Sequence, residues 1–502
     1  MLSNLGNRRS ILKDSFKCSH KEVDKVCSPS QTYRFALKRI RIMKRSILKS
    51  FRKIDKLVDI PQYTFEGSSF YNNLGLGRGT NGKGYSKMQA MASGIMELVE
   101  RYSCFTFMMD KANYRLLSFN EIENSSNSFK IRDFSKNFFK GELKRFPNRL
   151  RNIKVRWYKA FNLEGERLYL PSGFLSNILE GSNGMASGNS IEEALLQAIC
   201  EIIERWCMSM VYVNKISTPF IDIESVKNKI AKSLIDRFEK KGHEIVLKDF
   251  SLGFGIPAIA VIRKVKRRYC YITLGVASNP YKALIRALTE NSQISPNIID
   301  KKSMHLNIID NVDFIFKKNK IINMSSIENI EDDNIKNEII RVRNLFSKRK
   351  IEIFFHDTTD KELRIPSVMV FIKGAKYLPK ELSKPRIYAN YYLAVVYELI
   401  LTERYDYALK LIRDFRKKDK TDENAYRFLD SEIKFLIGVQ LIKKAKFDKA
   451  VNIYHSTIDK DKFFSLENMP IPISVRYPDS FNLAVNIYMK LKLLSSRRNK
   501  II

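Results

Sequence analysis

The sequence predicts an α+β protein in which a mixed helix-and-strand domain is followed by an all-α C-terminal domain. Two apolar helical stretches, about a hundred residues apart, carry the same carboxylate spacing. Around them, short β-branched and aromatic runs read as strands interleaved with helices. Beyond Pro385 the strand signals stop and only helical texture continues. At 502 residues the chain can bury an ample core and divide into two or three domains.

Residues 1–59 are expected to form a basic, partly helical N-terminal segment. The first 56 residues hold sixteen Lys/Arg against four Asp/Glu. From Arg34 to Lys53 the bases Arg34, Lys38, Arg39, Arg41, Lys44, Arg45, Lys49, Arg52 and Lys53 interleave with Leu37, Ile40, Ile42, Ile47, Leu48 and Phe51. That pattern reads as a basic amphipathic helix. Residues 60–385 form the mixed domain. Its strands are expected at Val155-Arg156-Trp157-Tyr158, at Leu168-Tyr169-Leu170, from Ile256 to Ile262 and from Tyr269 to Leu274. The last two make a hairpin across the basic turn between Arg263 and Arg268. A helix follows at 283–293, then a strand from Ile351 to His356 leading into Asp357-Thr358-Thr359. Residues 386–502 are expected to be helical. There Arg404-Tyr405-Asp406-Tyr407-Ala408-Leu409 is echoed by Lys446-Phe447-Asp448-Lys449-Ala450-Val451. An aromatic, an Asp and a small Ala at this spacing resemble the inter-helix turn of tetratricopeptide repeats. The separation of 42 exceeds the usual period of about 34, so ordinary packed helix pairs are the alternative.

The two carboxylate patterns are Ser93-x-x-x-Glu97-x-x-Glu100-Arg101 and Glu193-x-x-x-Gln197-x-x-x-Glu201-x-x-Glu204-Arg205. Steps of three and four residues place these side chains on one helix face. The other faces carry Ile95, Met96, Leu98 and Val99 in the first, and Leu195, Leu196, Ile199, Ile202 and Ile203 in the second. A helix so apolar is expected to be buried, where carboxylates are costly unless paired or bound to metal. Facing each other, the stripes would gather Glu97, Glu100, Glu201 and Glu204 around one space. Hard oxygen ligands suit Mg²⁺, which usually arrives with phosphates, so the residues point to a magnesium-nucleotide site. For either copy alone, a solvated stripe of intrahelical ion pairs is the alternative. Glycine-rich stretches precede both helices, Gly75 to Gly84 and Gly181 to Asn189. Their backbone amides could approach an anion closely, with Lys83 and Arg78 as added point charges. Flexible turns would use the same glycines, and neither stretch has Walker A spacing.

At these residues the chain resembles the YcaO family, ATP-dependent enzymes that activate peptide backbone amides. The resemblance is carried by Asn81-Gly82-Lys83-Gly84, the run from Ser93 to Arg101, Ser182-Asn183-Gly184, Ala186-Ser187-Gly188-Asn189 and the run from Glu193 to Arg205. Ser28-Pro29-Ser30-Gln31-Thr32 with Ile60-Pro61 resembles a family N-terminal signature, and Asp357-Thr358-Thr359 with Ile365-Pro366 a late strand. The similarity spans roughly residues 25–385. It implies a YcaO-like catalytic domain using ATP and Mg²⁺. By this resemblance Ser93, Glu97, Glu100 and Arg101 bind nucleotide and magnesium. Asn189, Glu193 and Gln197 contact nucleoside and phosphates, and Glu201, Glu204 and Arg205 form the second metal-binding run. The family pattern Glu-Ala-x-Gln-x-Arg reads here Glu290-Asn291-Ser292-Gln293-Ile294-Ser295, which keeps Glu290 and Gln293 but has Ser295 where an arginine is expected. The implied chemistry is phosphorylation of an amide oxygen, giving a thioamide or an azoline. The chain ends Ser495-Ser496-Arg497-Arg498-Asn499-Lys500-Ile501-Ile502 without the proline-rich tail of many azoline formers, with Pro470-Ile471-Pro472 internal, which tilts the reading toward thioamidation. An accessory factor for ribosomal-protein methylthiolation, binding nucleotide without turnover, is the alternative.

The partners implied are a peptide or protein substrate, a sulfur-donor or modification partner, ribosomes, and a second copy of the chain in a homodimer. No run of eighteen apolar residues and no signal-peptide core is present, so a soluble cytoplasmic protein without membrane association is expected. The net charge of +35 fits an acidic peptide partner, RNA or ribosome binding, or a codon bias toward lysine and isoleucine; no RNA-binding motif accompanies it. The six cysteines are too sparse for a disulfide framework. Cys200 and Cys207 are expected in the core, and Cys18-x-His20 with Cys27 lacks a fourth zinc ligand. His20, His243, His305, His356 and His455 are scattered without ligand spacing and are expected to be surface or core residues.

Overall fold

The computed structural model describes residues 11–18, 24–54, 58–74, 76–123, 150–173, 175, 182–266, 269–293, 308–309, 313–375, 391–416, 433–441 and 446–458. The helices longer than ten residues are α1 (Pro29–Arg41), α2 (Lys87–Met109), α3 (Ile191–Val213), α4 (Lys229–Glu239), α5 (Pro280–Asn291), α6 (Ile335–Ser347), α7 (Tyr391–Leu401), α8 (Tyr405–Arg416) and α9 (Phe447–Ile458). The first strands are β1 (Leu48–Lys53), β2 (Gln62–Gly67), β3 (Gly79–Lys83), β4 (Tyr114–Ser118), β5 (Lys154–Asn162), β6 (Arg167–Leu170) and β7 (Met185–Ser187). They are followed by β8 (Phe220–Ile221), β9 (Ile245–Asp249), β10 (Ala258–Lys266), β11 (Tyr269–Val276), β12 (Ile308–Ile309), β13 (Ile321–Ile322), β14 (Ile353–Asp357) and β15 (Ser367–Ile372).

These strands form three sheets, ordered β1-β2-β3, β12-β11-β10-β9-β8-β13 and β4-β5-β14-β15-β7, with β6 added to β5. Pairing is antiparallel except between β8 and β13. The expected hairpin is present, with Ala258 opposite Val276 and Ile262 opposite Ile272. Because strand side chains alternate, β10 is apolar on both faces. Ala258, Ala260 and Ile262 share a core with Ile199 and Ile203 of α3, while Ile259 and Val261 share another with Leu234 of α4 and Leu284 of α5. The α3 core also takes in Phe355, Val368 and Val370 of β14 and β15. The second carboxylate helix is therefore held between two sheets, as its all-round apolarity requires. The first, α2, packs Ile95, Leu98 and Val99 with Phe65 of β2 and Ile40 of α1.

Two expectations need correction. The basic run from Arg34 to Lys53 is not one helix: α1 stops at Arg41 and β1 begins at Leu48. A capping box between Ser28 and Gln31 with Pro29 in the first turn starts α1. Ile47 and Met43 turn into the core, the Ser46 hydroxyl accepts from the Leu48 amide, and β1 is recruited by pairing with β2, where Phe51 stacks on Phe65. Tertiary pairing overrides a helical period here. The first glycine-rich stretch is likewise no open anion cradle. Gly79 to Lys83 is strand β3, and a Cβ on Gly82 would stand 1.9 Å from the Ala90 carbonyl oxygen of α2. The glycine lets a strand lie directly on a helix.

The C-terminal helices dock on the outer face of the β5 sheet, where Trp157 and Leu170 share a core with Val395 and Leu399. Ala408 and Ala450, the small residues of the two echoed segments, are both fully buried. Arg156 and Glu398 are 2% and 0% exposed in their side chains and form a forked pair, with Nε donating at 2.9 Å and Nη2 at 2.8 Å. Glu398→Ala leaves that guanidinium buried and unpaired, so a loss of about 3–5 kcal/mol in a denaturant titration is expected. Cys200 and Cys207 are core residues, and burial pushes the Cys200 thiol up to about 12. His356 is fully buried; its Nδ1 donates to the Lys159 carbonyl at 2.7 Å, and its Nε2 accepts from the Ser172 hydroxyl at 2.6 Å. Burial pulls its imidazole from the ordinary 6.5 down to about 4. Between those values the unfolded chain takes a proton that the folded one refuses, so stability falls as pH drops from about 6.5 toward 4. The loss is on the order of 3 kcal/mol, and thermal melts at pH 7.5 and 4.5 should show a smaller difference for His356→Gln than for the wild type. His20 and His305, Ser295, Pro470, Pro472 and the residues from Ser495 onward lie outside the described residues.

Candidate nucleotide site

Both carboxylate helices start from a serine N-cap, Ser86 for α2 and Ser190 for α3, and both pack against β7 and β15. The Ser187 hydroxyl of β7 donates to the Met96 carbonyl of α2 at 2.7 Å. This shared support turns the two stripes toward one cleft. Ser93, Glu97, Glu100 and Arg101 of α2 are half-buried among buried neighbours, as are Gln197, Glu201, Glu204 and Arg205 of α3. Arg286 and Glu290 of α5, with Gln293 just beyond it, add a third half-buried stripe at the same helical spacing. Lys83 at the end of β3 joins it, with its ammonium paired to Glu290 and 3.4 Å from the Gln293 amide oxygen.

The other bases are also engaged. Arg101 Nη2 donates to Glu97 at 2.5 Å, and Arg205 Nη2 lies 3.5 Å from Glu204. The Gly184 amide of the second glycine stretch donates to Glu201 at 3.2 Å, so this amide faces a carboxylate. Burial, then Glu201 and Glu97, push the Glu100 carboxyl well above the usual range against the pull of Arg101. Burial pushes Glu201 up to about 7; Glu204 adds to this, while Arg205, the Gly184 amide and Arg286 oppose it. Burial pulls the Lys83 ammonium down to about 8, with Arg205 and Arg286 adding and Glu97 and Glu204 opposing. Carboxylates reluctant to lose a proton thus stand around an ammonium reluctant to keep one.

Asn189 and Glu193 lie apart from this cleft in their bonding. Glu193 is 2% exposed, receives both Asn189 amide contacts at 3.0 Å, accepts from the Val26 amide at 2.8 Å and pairs with Lys25 at 3.3 Å. The Thr32 hydroxyl of α1 donates to Asn189 at 3.1 Å. Lys25 and the buried Tyr71, whose phenol feels Arg101, Glu97 and Glu100, were not foreseen from the sequence. Their partners are far away along the chain, and no local spacing announces them. Arg78 is exposed.

A family described as YcaO cyclodehydratase, ATP- and Mg²⁺-binding, matches residues 81–376, more than half of the chain. The chain belongs to the YcaO family. Its fold is similar to a heterocyclase in complex with substrate and cofactor, at a TM-score of 0.58 and 19% identity over 73% of this chain and 54% of that one. It is also similar to YcaO from Methanopyrus kandleri bound with AMPPCP and Mg²⁺, at a TM-score of 0.54 and 16% identity over 75% of this chain and 100% of that one. Identity this low shows shared fold alone. An uncharacterized protein of Methanothermobacter thermautotrophicus is 28% identical over 229 residues, 42% of this chain and 56% of that protein. The ribosomal protein S12 methylthiotransferase accessory factor YcaO of Escherichia coli is 30% identical over 129 residues, 25% of this chain and 22% of its own. The chain thus spans about half or less of these curated relatives.

ATP and Mg²⁺ are the ligands of the YcaO family, and the cleft suits them. Among the described residues no three His, Cys, Asp or Glu side chains are drawn together as a finished metal cage. Mg²⁺ needs none, since it is held through one or two carboxylates plus substrate phosphates and water. The raised Glu100 and Glu201 carboxyls mark the acidic side on which a cation relieves repulsion. In the protein without ligand, the Glu201 carboxyl carries its full charge only above about pH 7. A carboxyl raised by folding costs stability as pH rises through its folded value. Glu201→Gln should therefore stabilise the protein at pH 8 by on the order of 1–2 kcal/mol after solvent screening, read as a higher melting temperature. It should leave the melt at pH 4, below the ordinary carboxyl value of 4.5, nearly unchanged.

Proposed function

We propose that this protein is a cytoplasmic ATP- and Mg²⁺-dependent enzyme that activates a backbone amide of a peptide or protein by O-phosphorylation, for thioamidation or a related sulfur modification. The observation that carries this reading is the facing pair of half-buried carboxylate stripes beside Lys83, where burial disfavours the charged forms of Glu100, Glu201 and Lys83, and Glu201 and Glu97 add to it at Glu100. In this reading Glu97, Glu100, Glu201 and Glu204 hold magnesium. Lys83, Arg101 and Arg205 neutralise phosphate charge, with Ser93, Gln197, Glu290 and Gln293 lining its path. Asn189 and Glu193 fix the nucleoside end, Glu193 by organising Lys25 and the Val26 amide. ATP supplies the phosphoryl group: the amide oxygen bonds to the γ-phosphorus as the bond to ADP breaks. A sulfur nucleophile then adds to the amide carbon and phosphate leaves. The chain's own residues position the groups and stabilise charge, and none is needed as a covalent nucleophile. Sulfide or a donor protein provides the sulfur, and the tetratricopeptide-like C-terminal helices are the docking surface for a partner.

The accessory reading has its own support. Ser295 replaces the arginine that the family pattern leads one to expect, and a relative is named as a methylthiotransferase accessory factor. In that case the cleft binds nucleotide and the protein docks a modification complex or a ribosome without turnover. Calorimetry with Mg-ATP tests the shared step. The wild type should bind only with Mg²⁺ present, and Glu97→Gln and Glu201→Gln should each weaken binding by about tenfold or more. A wild type that binds no nucleotide sinks both readings of the isolated chain; peptide-dependent phosphate release favours the enzyme over the accessory factor.

A further inference from the structure

The β1-β2-β3 sheet has an open side. β1 lies at its edge, and no described strand pairs with the side of β1 that points away from β2. The register tells which backbone groups point there. The Ile54 amide donates to the Gln62 carbonyl at 2.9 Å, and bonding alternates along an antiparallel pair. Ile54 and Arg52 therefore bond inward to β2, and the N–H and C=O of Phe51 point outward. Phe51 stands opposite Phe65, and their rings stack with centroids 5.4 Å apart, as the close spacing of a non-bonded pair allows. Phe51 is nevertheless 42% exposed.

The chemistry of this edge is one-sided. From 44 to 53 the chain carries Lys44, Arg45, Lys49, Arg52 and Lys53 and no Asp or Glu. One carboxylate, Glu66 of β2, meets two of these bases, Lys49 at 3.5 Å and Arg52 at 3.9 Å, whose side chains stay 68% and 69% exposed. Ser50 and Arg52 share one face of the sheet with Glu66. Phe51 shares with Phe65 the other face, which packs on α2. A strand laid against β1 would thus set one residue beside the Phe51 ring and the next beside Arg52. Its complement is an extended segment in which apolar and acidic residues alternate. A second copy of β1 does not fit, because its own bases would stand against these.

We propose that the open edge of β1 takes up a peptide of alternating acidic and apolar residues as a fourth strand, and that this strand leads the peptide toward the cleft. Tyr63 is the register partner of Lys53, and Gln62 that of Lys83. The C-terminal end of β1 and the cleft lysine therefore lie at the same end of the sheet. At about 4.8 Å between strands, an added strand runs ~14 Å from β3. Four or five extended residues beyond the paired segment, at about 3.3 Å each, cover that distance. Docking itself needs no nucleotide; only the fate of the docked peptide rests on the amide-activating reading, whose substrate class this edge defines.

Lysines and a bulge on an edge strand also serve to repel other strands, and β1 has both, with its irregularity between Leu48 and Ser50. That role alone predicts no ligand. The probe is a capped peptide of alternating Glu and Val, about ten residues long, the upper length of an ordinary strand. Its controls are the Lys-Val counterpart and the Glu-Val peptide N-methylated throughout, which keeps the side chains and loses every backbone donor. Affinity is read by fluorescence anisotropy without nucleotide, and location by hydrogen exchange at the Phe51 amide. The Glu-Val peptide should bind the wild type and slow that exchange. N-methylation, and separately Arg52→Glu in a protein shown by thermal melting to be folded, should each weaken binding by about tenfold or more. No binding, equal binding of either control, or an Arg52→Glu protein that binds as well as the wild type overturns the inference. So does slow Phe51 exchange brought on by protein concentration alone, the mark of a second copy on this edge, or by a uridine homopolymer instead of the peptide. Mg-ATP binding is measured beside these. Its absence in the wild type would remove the amide-activating reading and leave the docking result standing.

Discussion

Everything at the site depends on α3 being enclosed between two sheets. The β10 side contributes Ala258, Ala260 and Ile262, and the β14–β15 side Phe355, Val368 and Val370. A helix so enclosed has one strip left to carry polar groups, and Gln197, Glu201, Glu204 and Arg205 occupy it. Moving the strip would put a carboxylate into an apolar layer, at a cost no surface ion pair recovers. The core thus dictates where the charges stand, and rigid helices fix their spacing better than loops would.

The same enclosure sets the chemistry. Desolvation raises Glu100 and Glu201 and lowers Lys83, so each group is held away from the charge it would carry in water. Perturbed pairs of this kind mark functional clefts more often than structural ones. The molecule also contains a structural counterpart. Arg156 and Glu398 are more deeply buried still, yet they satisfy each other by a complete fork and so bolt α7 to β5. The cleft groups are only partly matched, which leaves capacity for a ligand.

Much of this was legible in the sequence because the informative patterns are local. Glu97 to Arg101 and Glu201 to Arg205 each lie within a few residues, and helical spacing alone places them on one face. The hairpin of β10 and β11 announced itself through two apolar runs and a basic turn. The failures were non-local. Leu48 to Lys53 has helical periodicity but becomes a strand because β2 is there to pair with it. Gly79 to Lys83 looks like a loop because its glycines serve the approach of α2, which no sequence window displays. The lock of Lys25 and Val26 onto Glu193 spans more than 160 residues and has no signature at all.

The central claim is that the facing stripes of α2 and α3 hold magnesium and nucleotide together. A crystal of the protein grown with Mn²⁺ in place of Mg²⁺ and a non-hydrolysable ATP analogue tests it most directly. The account predicts anomalous peaks between the two helices, within coordination distance of carboxylates from both stripes and of the analogue's phosphates. Nucleotide bound elsewhere, or metal held without Glu97, Glu100, Glu201 or Glu204, would contradict it.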